Sequence, residues 1–187
     1  ASLAESTTYY FRVYATNSAG ESAASATYSV KTHGDPSVPR TVAVSAVTDK
    51  TATCTWTAPS DTGGRALVRY ALRIATDSAM TTGVREINPD NTSLTNAVTG
   101  LTEGTNYWIQ VRASNGLYWG AYSAAVTFKT IGPPSAPHAL SVSGITDKAA
   151  TATWTDPADT GGRAITQYAL YLAENSDMTT GTRYLAG

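Results

Sequence analysis

Along residues 40–130 hydrophobic and polar positions alternate in short runs, and clusters of Gly, Pro, Asn, Asp and Ser separate the runs. A period of two sends successive side chains to opposite faces of an extended chain, so each run predicts a half-buried β-strand. RTVAVSAV (40–47) is the first, and TDK turns the chain. TATCTWT (51–57) sets Ala52, Cys54 and Trp56 on one face and Thr51, Thr53 and Thr55 on the other. After the turn-rich APSDTGG, ALVRYALRIA (66–75) points Leu67, Tyr70, Leu72 and Ile74 inward. VREI (84–87) and SLTNAV (93–98) are shorter. TNYWIQVRAS (105–114) places Tyr107, Ile109, Val111 and Ala113 inward against Trp108, Gln110 and Arg112 outward, and AYSAAVTFKT (121–130) closes the set. Seven short strands without helical periodicity predict an all-β, antiparallel, Greek-key sandwich.

The same patterns recur at one offset. Tyr9 in TYYFRV and Tyr107 in NYWIQV lie 98 positions apart, as do Thr32 and Thr130, and Trp56 and Trp154. TDKTATCTWTAPSDTGGRALVRYAL (48–72) aligns without a gap on TDKAATATWTDPADTGGRAITQYAL (146–170). A 98-residue period is too long for a solenoid and suits a string of complete β domains. The predicted organisation is the back of one unit (1–33), a whole unit (34–131) and the front of a third (132–187). Tyr9, Phe11 and Val13 then belong to a sixth strand whose partner sheet is missing, with Tyr10 and Tyr14 outward. Isolated two- or three-stranded pieces are marginal in water, so the chain is expected to be a window from a longer array. The alternative is that one molecule's tail pairs with the next one's head.

Several stretches carry a family resemblance: PSVPRTVAVSAV, Trp56 followed by AP, GGRALVRYAL, LTEGTNYWIQVRASN and the closing FKT. Together they resemble a fibronectin type III domain, and both partial units match the corresponding halves. The resemblance implies tandem immunoglobulin-like sandwiches. It makes Trp56 and Trp154 core tryptophans, and Tyr107 in LTEGTNY and Tyr9 in LAESTTY tyrosine-corner residues whose hydroxyls bond back to the preceding turn.

Composition then removes function classes. Charged residues make up 14% of the chain and the formal net charge is −1, so no basic stripe exists to track phosphates and no nucleic-acid partner is expected. No run approaches the roughly 18 apolar residues of a membrane span, so no membrane insertion is expected. The single cysteine, Cys54, is Ala152 in the next unit and reads as small core filler. His33 and His138 pair with no nucleophile or carboxylate at catalytic spacing, and no phosphate loop or metal-ligand spacing appears. Asp61 and Asp159 stand alone in their DTGG loops, and Asp49 and Asp147 in their TDK turns, as turn formers rather than calcium ligands. Asn91 heads a formal N-glycosylation sequon. Neither catalysis nor a cofactor is expected.

One loop separates the units. ATNSAGESAAS (15–25) aligns with ASNGLYWGAYS (113–123), so Gly20 and Glu21 become Tyr118 and Trp119. Two adjacent aromatics at a sandwich end suit stacking on a sugar or anchoring a protein; the alternative is packing on the neighbouring domain or capping the sandwich.

The expected role is a non-catalytic spacer and adhesion module of a long extracellular repeat protein. Its partners would be protein neighbours in a larger assembly, with a host-surface glycan or protein as a further candidate. RIATDSAMTTGVREI and RASNGLYWGAYSAAVTFKT are similar to type III modules of bacteriophage tail and fibre proteins, which places a virion-surface component first. The alternative is a bacterial cell-surface or secreted multidomain protein: an adhesin, a surface filament, or the spacer of a carbohydrate-active enzyme.

Overall fold

The computed structural model describes residues 2–180 and the strand 183–186. The described residues form fifteen strands, and none of them is helical. They fall into three groups. The first holds β1 (Thr8–Phe11), β2 (Thr16–Asn17), β3 (Gly20–Glu21) and β4 (Tyr28–Lys31). The second holds β5 (Arg40–Ser45), β6 (Ala52–Thr57), β7 (Arg69–Ala75), β8 (Arg85–Ile87), β9 (Thr95–Val98), β10 (Asn106–Ser114) and β11 (Val126–Lys129). The third holds β12 (His138–Ser143), β13 (Thr151–Thr155), β14 (Ala169–Leu172) and β15 (Arg183–Ala186).

The middle group is a two-layer sandwich, with sheet order β5-β6-β9 in one layer and β11-β10-β7-β8 in the other. All its pairings are antiparallel. The β6–β7, β8–β9 and β9–β10 connections each pass from one sheet to the other, which is how seven consecutive strands form two layers. The longest pairing runs from Trp108 opposite Ala75 to Ser114 opposite Arg69.

The alternation sorts the side chains as the residue pattern predicts. Ala52, Cys54 and Trp56 from β6 meet Tyr70, Leu72 and Ile74 from β7 and Tyr107, Ile109, Val111 and Ala113 from β10, with Val98 and Leu101 beside them. Trp56 and Tyr70 pack edge to face, with ring centroids 5.3 Å apart and planes at 63°, a geometry worth about 0.5–1.5 kcal/mol beyond the buried area. Val42, Val44, Leu67, Ile87, Val126 and Phe128 close the rim.

Three local features depart from the expectation. First, AYSAAVTFKT is a strand only from Val126. The Ser123 amide donates to the Val111 carbonyl at 2.8 Å, while the Val111 amide donates to Ser123 Oγ at 3.1 Å. A side-chain hydroxyl replaces a carbonyl in the ladder and bends the strand. Ser25 makes the same pair of bonds with Val13 in the first group. Second, ALVRYALRIA starts its ladder at Arg69 because the Val68 amide reaches sideways to the Ser114 carbonyl, 2.9 Å away. Third, the TDK turn is closed by Thr48 rather than Asp49: Thr48 Oγ1 accepts from the Lys50 and Thr51 amides at 3.2 and 2.9 Å.

The Tyr107 hydroxyl accepts a hydrogen bond from the Thr102 amide at 2.9 Å, and the Tyr9 hydroxyl accepts one from the Ala4 amide at 2.8 Å. Around these corners the two flanks differ from the middle. Phe11 and Val13, predicted inward, are 46% and 72% exposed. Trp154 is half-buried against Tyr168, with centroids 5.5 Å apart, where Trp56 is sealed. Positions equivalent to β10 and β11 fall beyond residue 187 for the third group, so nothing among the described residues covers Trp154 from that side.

Candidate functional site

The turn between β10 and β11 is organised by Asn115, a buried amide with all its polar atoms engaged. Its Nδ2 donates to the Gly34 and Thr62 carbonyls at 2.9 and 3.0 Å, and its Oδ1 accepts from the Tyr118 and Leu117 amides at 2.9 and 3.2 Å. One side chain therefore fixes the turn, the linker before β5 and the loop after β6. Buried amides are held this firmly because an unpaired one costs roughly 1–3 kcal/mol.

That turn sends Tyr118 and Trp119 in different directions. The Tyr118 hydroxyl donates to Glu5 Oε1 at 3.1 Å, a contact with the preceding group of strands. This bond, and the charge of Glu5, push the phenol's pKa above its ordinary value. Trp119 bridges back to Ser114 and lies on the outer face of the four-stranded sheet.

On that face the aromatics and arginines form a ladder. The Arg112 guanidinium lies 4.5 Å from the Trp119 ring centroid and 4.5 Å from that of Tyr122. Arg73 lies 4.4 Å from Tyr122, and Arg69 5.2 Å from Trp119. Acids tie the rungs: the Tyr122 hydroxyl donates to Glu86 at 2.6 Å, Glu86 pairs with Arg112 at 3.5 Å, and Arg69 pairs with Asp90 at 3.0 Å. Burial, then the bond to Glu86, push the Tyr122 pKa up to about 12. Beside the ladder is a groove of about 480 Å³ lined by Arg69, Glu86, Asn88, Asp90, Arg112 and Trp119.

Two of the three arginines are ion-paired, and Arg73 bonds Gln110 at 2.9 Å. The Nε atoms of Arg69, Arg73 and Arg112 are buried without a hydrogen-bond partner among the described residues, and cation–π stacking occupies the aromatic rings. The ladder is peculiar to this sandwich. At the equivalent positions the flanks carry Gln167 for Arg69, Tyr171 for Arg73, Tyr14 for Arg112, Glu21 for Trp119 and Ala24 for Tyr122. Of the ladder residues the sequence marks only Trp119, paired there with Tyr118, because arginines at outward strand positions look like ordinary surface. Comparing the units position by position shows that these residues change together.

The remaining candidates are structural in placement. Asp61 Oδ1 accepts from the Gly63 amide at 2.9 Å, and its other oxygen accepts from Lys31. The lysine bond first, and the amide bond second, hold its carboxyl below the usual range. Asp159 repeats both contacts with Gly161 and Lys129. Cys54 is fully enclosed, and burial pushes its thiol up to about 12, which leaves it protonated and unreactive. His33 and His138 are both exposed. Among the described residues no group of three or more His, Cys, Asp and Glu gathers as a metal site.

Comparison with known proteins gives a family and several relatives. The fibronectin type III domain family matches residues 37–129. Endoglucanase B of Cellulomonas fimi is 39% identical over 144 residues, 72% of this chain and 13% of that protein. Exoglucanase B of the same organism is 38% identical over 185 residues, 90% of this chain and 16% of that protein. Titin of Drosophila melanogaster is 30% identical over 128 residues, 65% of this chain and 1% of that protein. The chain thus spans less than a fifth of the length of either glucanase it matches.

Proposed function

Residues 37–129 belong to the fibronectin type III family, a non-catalytic module, and on that premise we propose that this chain is spacer from an extracellular, multidomain bacterial carbohydrate-active enzyme. The observation that carries the proposal is the extent of the glucanase matches. The similarity to exoglucanase B runs through 90% of this chain yet occupies only 16% of that protein. The shared part is the repeat, and the rest of the glucanase lies outside it.

The structure supports a passive role. The core is apolar and the Tyr9 and Tyr107 hydroxyls are spent on turns. On the Arg–aromatic ladder, Arg69 and Arg112 are paired with Asp90 and Glu86, and Arg73 bonds the neutral Gln110. Tyr118 and Trp119 serve as internal contacts in this account, Tyr118 to the preceding strands and Trp119 to Arg112 and Arg69. The direct partners are then neighbouring domains of the same polypeptide. A tail-fibre role, placed first by phrase similarity, has no counterpart among the relatives described above.

The test is the reading frame on either side of these residues, followed by assay of its purified product on soluble and insoluble β-glucan. A linked glycoside hydrolase domain is expected. Deleting the repeats should leave turnover of soluble glucan unchanged. Flanking virion structural domains, or a product that sediments with phage particles, would overturn the proposal.

A further inference from the structure

The two linkers of this chain repeat one another, in contacts as well as in sequence. KTHGDPSVP (31–39) and KTIGPPSAP (129–137) share Lys, Thr, Gly, Pro, Ser and Pro in one register, each shifted by 98 positions. At the first junction the Gly34 amide donates to the Gly63 carbonyl at 3.0 Å and the Ser37 amide to the Asp61 carbonyl at 2.8 Å. At the second, Gly132 donates to Gly161 at 3.0 Å and Ser135 to Asp159 at 2.8 Å. The Asp61 amide returns to Ser37 Oγ at 3.1 Å, and the Asp159 amide to Ser135 Oγ at 3.2 Å. Lys31 pairs with Asp61, and Lys129 with Asp159.

Glycine makes this approach possible. A Cβ on Gly63 would stand 2.0 Å from the Gly34 carbonyl oxygen, and a Cβ on Gly161 the same distance from that of Gly132. The linker glycine is pressed from its other side too. A Cβ on Gly34 would meet Ser6 Oγ at 2.0 Å, and one on Gly132 would meet Gly104 Cα at 2.6 Å. Ser6 and Gly104 are themselves equivalent positions, in the turn before each tyrosine corner. Each junction is therefore a backbone stack of three layers: corner turn, linker glycine, loop glycine.

At the first junction the stack has a cover. Asn115 holds the Gly34 carbonyl from above, and a Cβ on Gly120 would stand 2.3 Å from the Pro36 carbonyl oxygen. Gly34, Pro36 and Pro39 are buried there. The equivalents of Asn115 and Gly120 would fall at 213 and 218, beyond these 187 residues, and the second linker is correspondingly more exposed.

We propose that the Asp-Thr-Gly-Gly loop of each unit is a socket for the Lys-Thr-x-Gly linker of the unit before it, so that neighbouring units lock in one fixed orientation and the array is a stiff rod with a constant unit-to-unit rotation. The partner surface is a second copy of the same repeat, and polarity is built in: the lysine comes from the preceding unit and the aspartate from the following one. A spacer with these joints holds what it connects at a set distance and angle rather than on a slack tether. This inference concerns the joints alone and stands whatever domains flank the repeat.

Amide hydrogen exchange on the full 187-residue chain tests it, with β7 and β10 amides reporting the fold. Gly34 and Ser37 should exchange more slowly than unstructured amides. Exchange at the unstructured rate would overturn the proposal. Gly63→Ala should then speed Gly34 exchange by about two- to tenfold, the equivalent of one lost net hydrogen bond. Gly64→Ala is the control: its φ of 76° matches the 70° of Gly63, so the backbone strain is the same. Its Cβ would meet the linker backbone only at ordinary contact distance, 3.7 Å from the Thr32 carbonyl oxygen and 3.8 Å from His33 Cα, with the His33 ring edge at 3.2 Å. Equal effects from both variants, or none from either, would overturn the socket. Should Gly63→Ala lose its β7 and β10 protection, Gly34→Ala replaces it, since Gly34 lies outside the sandwich strands, and Ser37 exchange should rise likewise. Unchanged Ser37 exchange in that variant would refute the stack.

Discussion

Replacing Tyr107 by Phe removes a single oxygen, and the structure says what that oxygen does. The ring is 8% exposed and stacks on Phe128 with centroids 5.7 Å apart, so its packing survives the change. What disappears is the acceptor for the Thr102 amide, 2.9 Å away in a partly buried turn. An amide left without a partner costs about 1–3 kcal/mol when sealed from water, and the partial exposure here places the loss toward the lower half, about 1–2 kcal/mol. For a domain of this size unfolding in urea has a slope of about 1 kcal/mol per molar, so the midpoint should fall by about 1–2 M. Trp56, enclosed in the folded core, reports the transition by fluorescence. Tyr9→Phe is the internal comparison. It removes the same bond, to the Ala4 amide, in an exposed setting where water takes the vacant place; its midpoint should match the parent. If both variants shift equally, or Tyr107→Phe shifts by less than the fitting error, burial is not what gives the corner its value and the reasoning fails.

Three further outcomes follow from the same geometry. Cys54, with its thiol pushed up to about 12, should resist a thiol reagent at pH 8 until denaturant is added. Cys54→Ala should fold, because Ala152 already fills the matching position; fast labelling of the native chain would contradict the burial. Tyr122, raised to about 12 from 10.0, holds its proton more tightly folded than unfolded. The stability it contributes is complete below pH 10 and is lost as pH rises toward 12, so the late end of an ultraviolet titration should move earlier in Glu86→Gln. Arg112→Met keeps the aliphatic stem but loses the charge between Trp119 and Tyr122, and should lower stability by about 1–2 kcal/mol, against no measurable change for Arg65→Met, which is exposed.

Much of the middle sandwich was legible because alternation is a direct imprint of the pleat: Ala52, Cys54 and Trp56 had to share a face, and they do. The strand after Gly120 was drawn too long because the Ser123 hydroxyl stands in for a backbone carbonyl, and a serine in a polar-apolar run carries no mark of that role. The glycine pair at 63–64 was legible as a turn but not as a seat, since its partner, Gly34, lies 29 positions back at the very start of the predicted unit. Asp61 was likewise read as a local turn former, which its bond to Gly63 is, while its bond to Lys31 depends on how two units meet. Tyr118 and Trp119 were found through divergence between units, but their separation, one toward Glu5 and one into the Arg112 ladder, is set by the buried amide of Asn115.

The stacked glycines also bear on how such a chain changes over generations. Every joint is made by residues at the same positions of the repeat, so exchange between two copies within one gene adds or removes a whole unit and rebuilds an identical joint at the crossover. Length can drift this way without any new interface having to be selected. A point substitution at Gly34, Gly63 or Asp61 has no such tolerance, because it alters the joint itself, and one bent joint redirects everything beyond it.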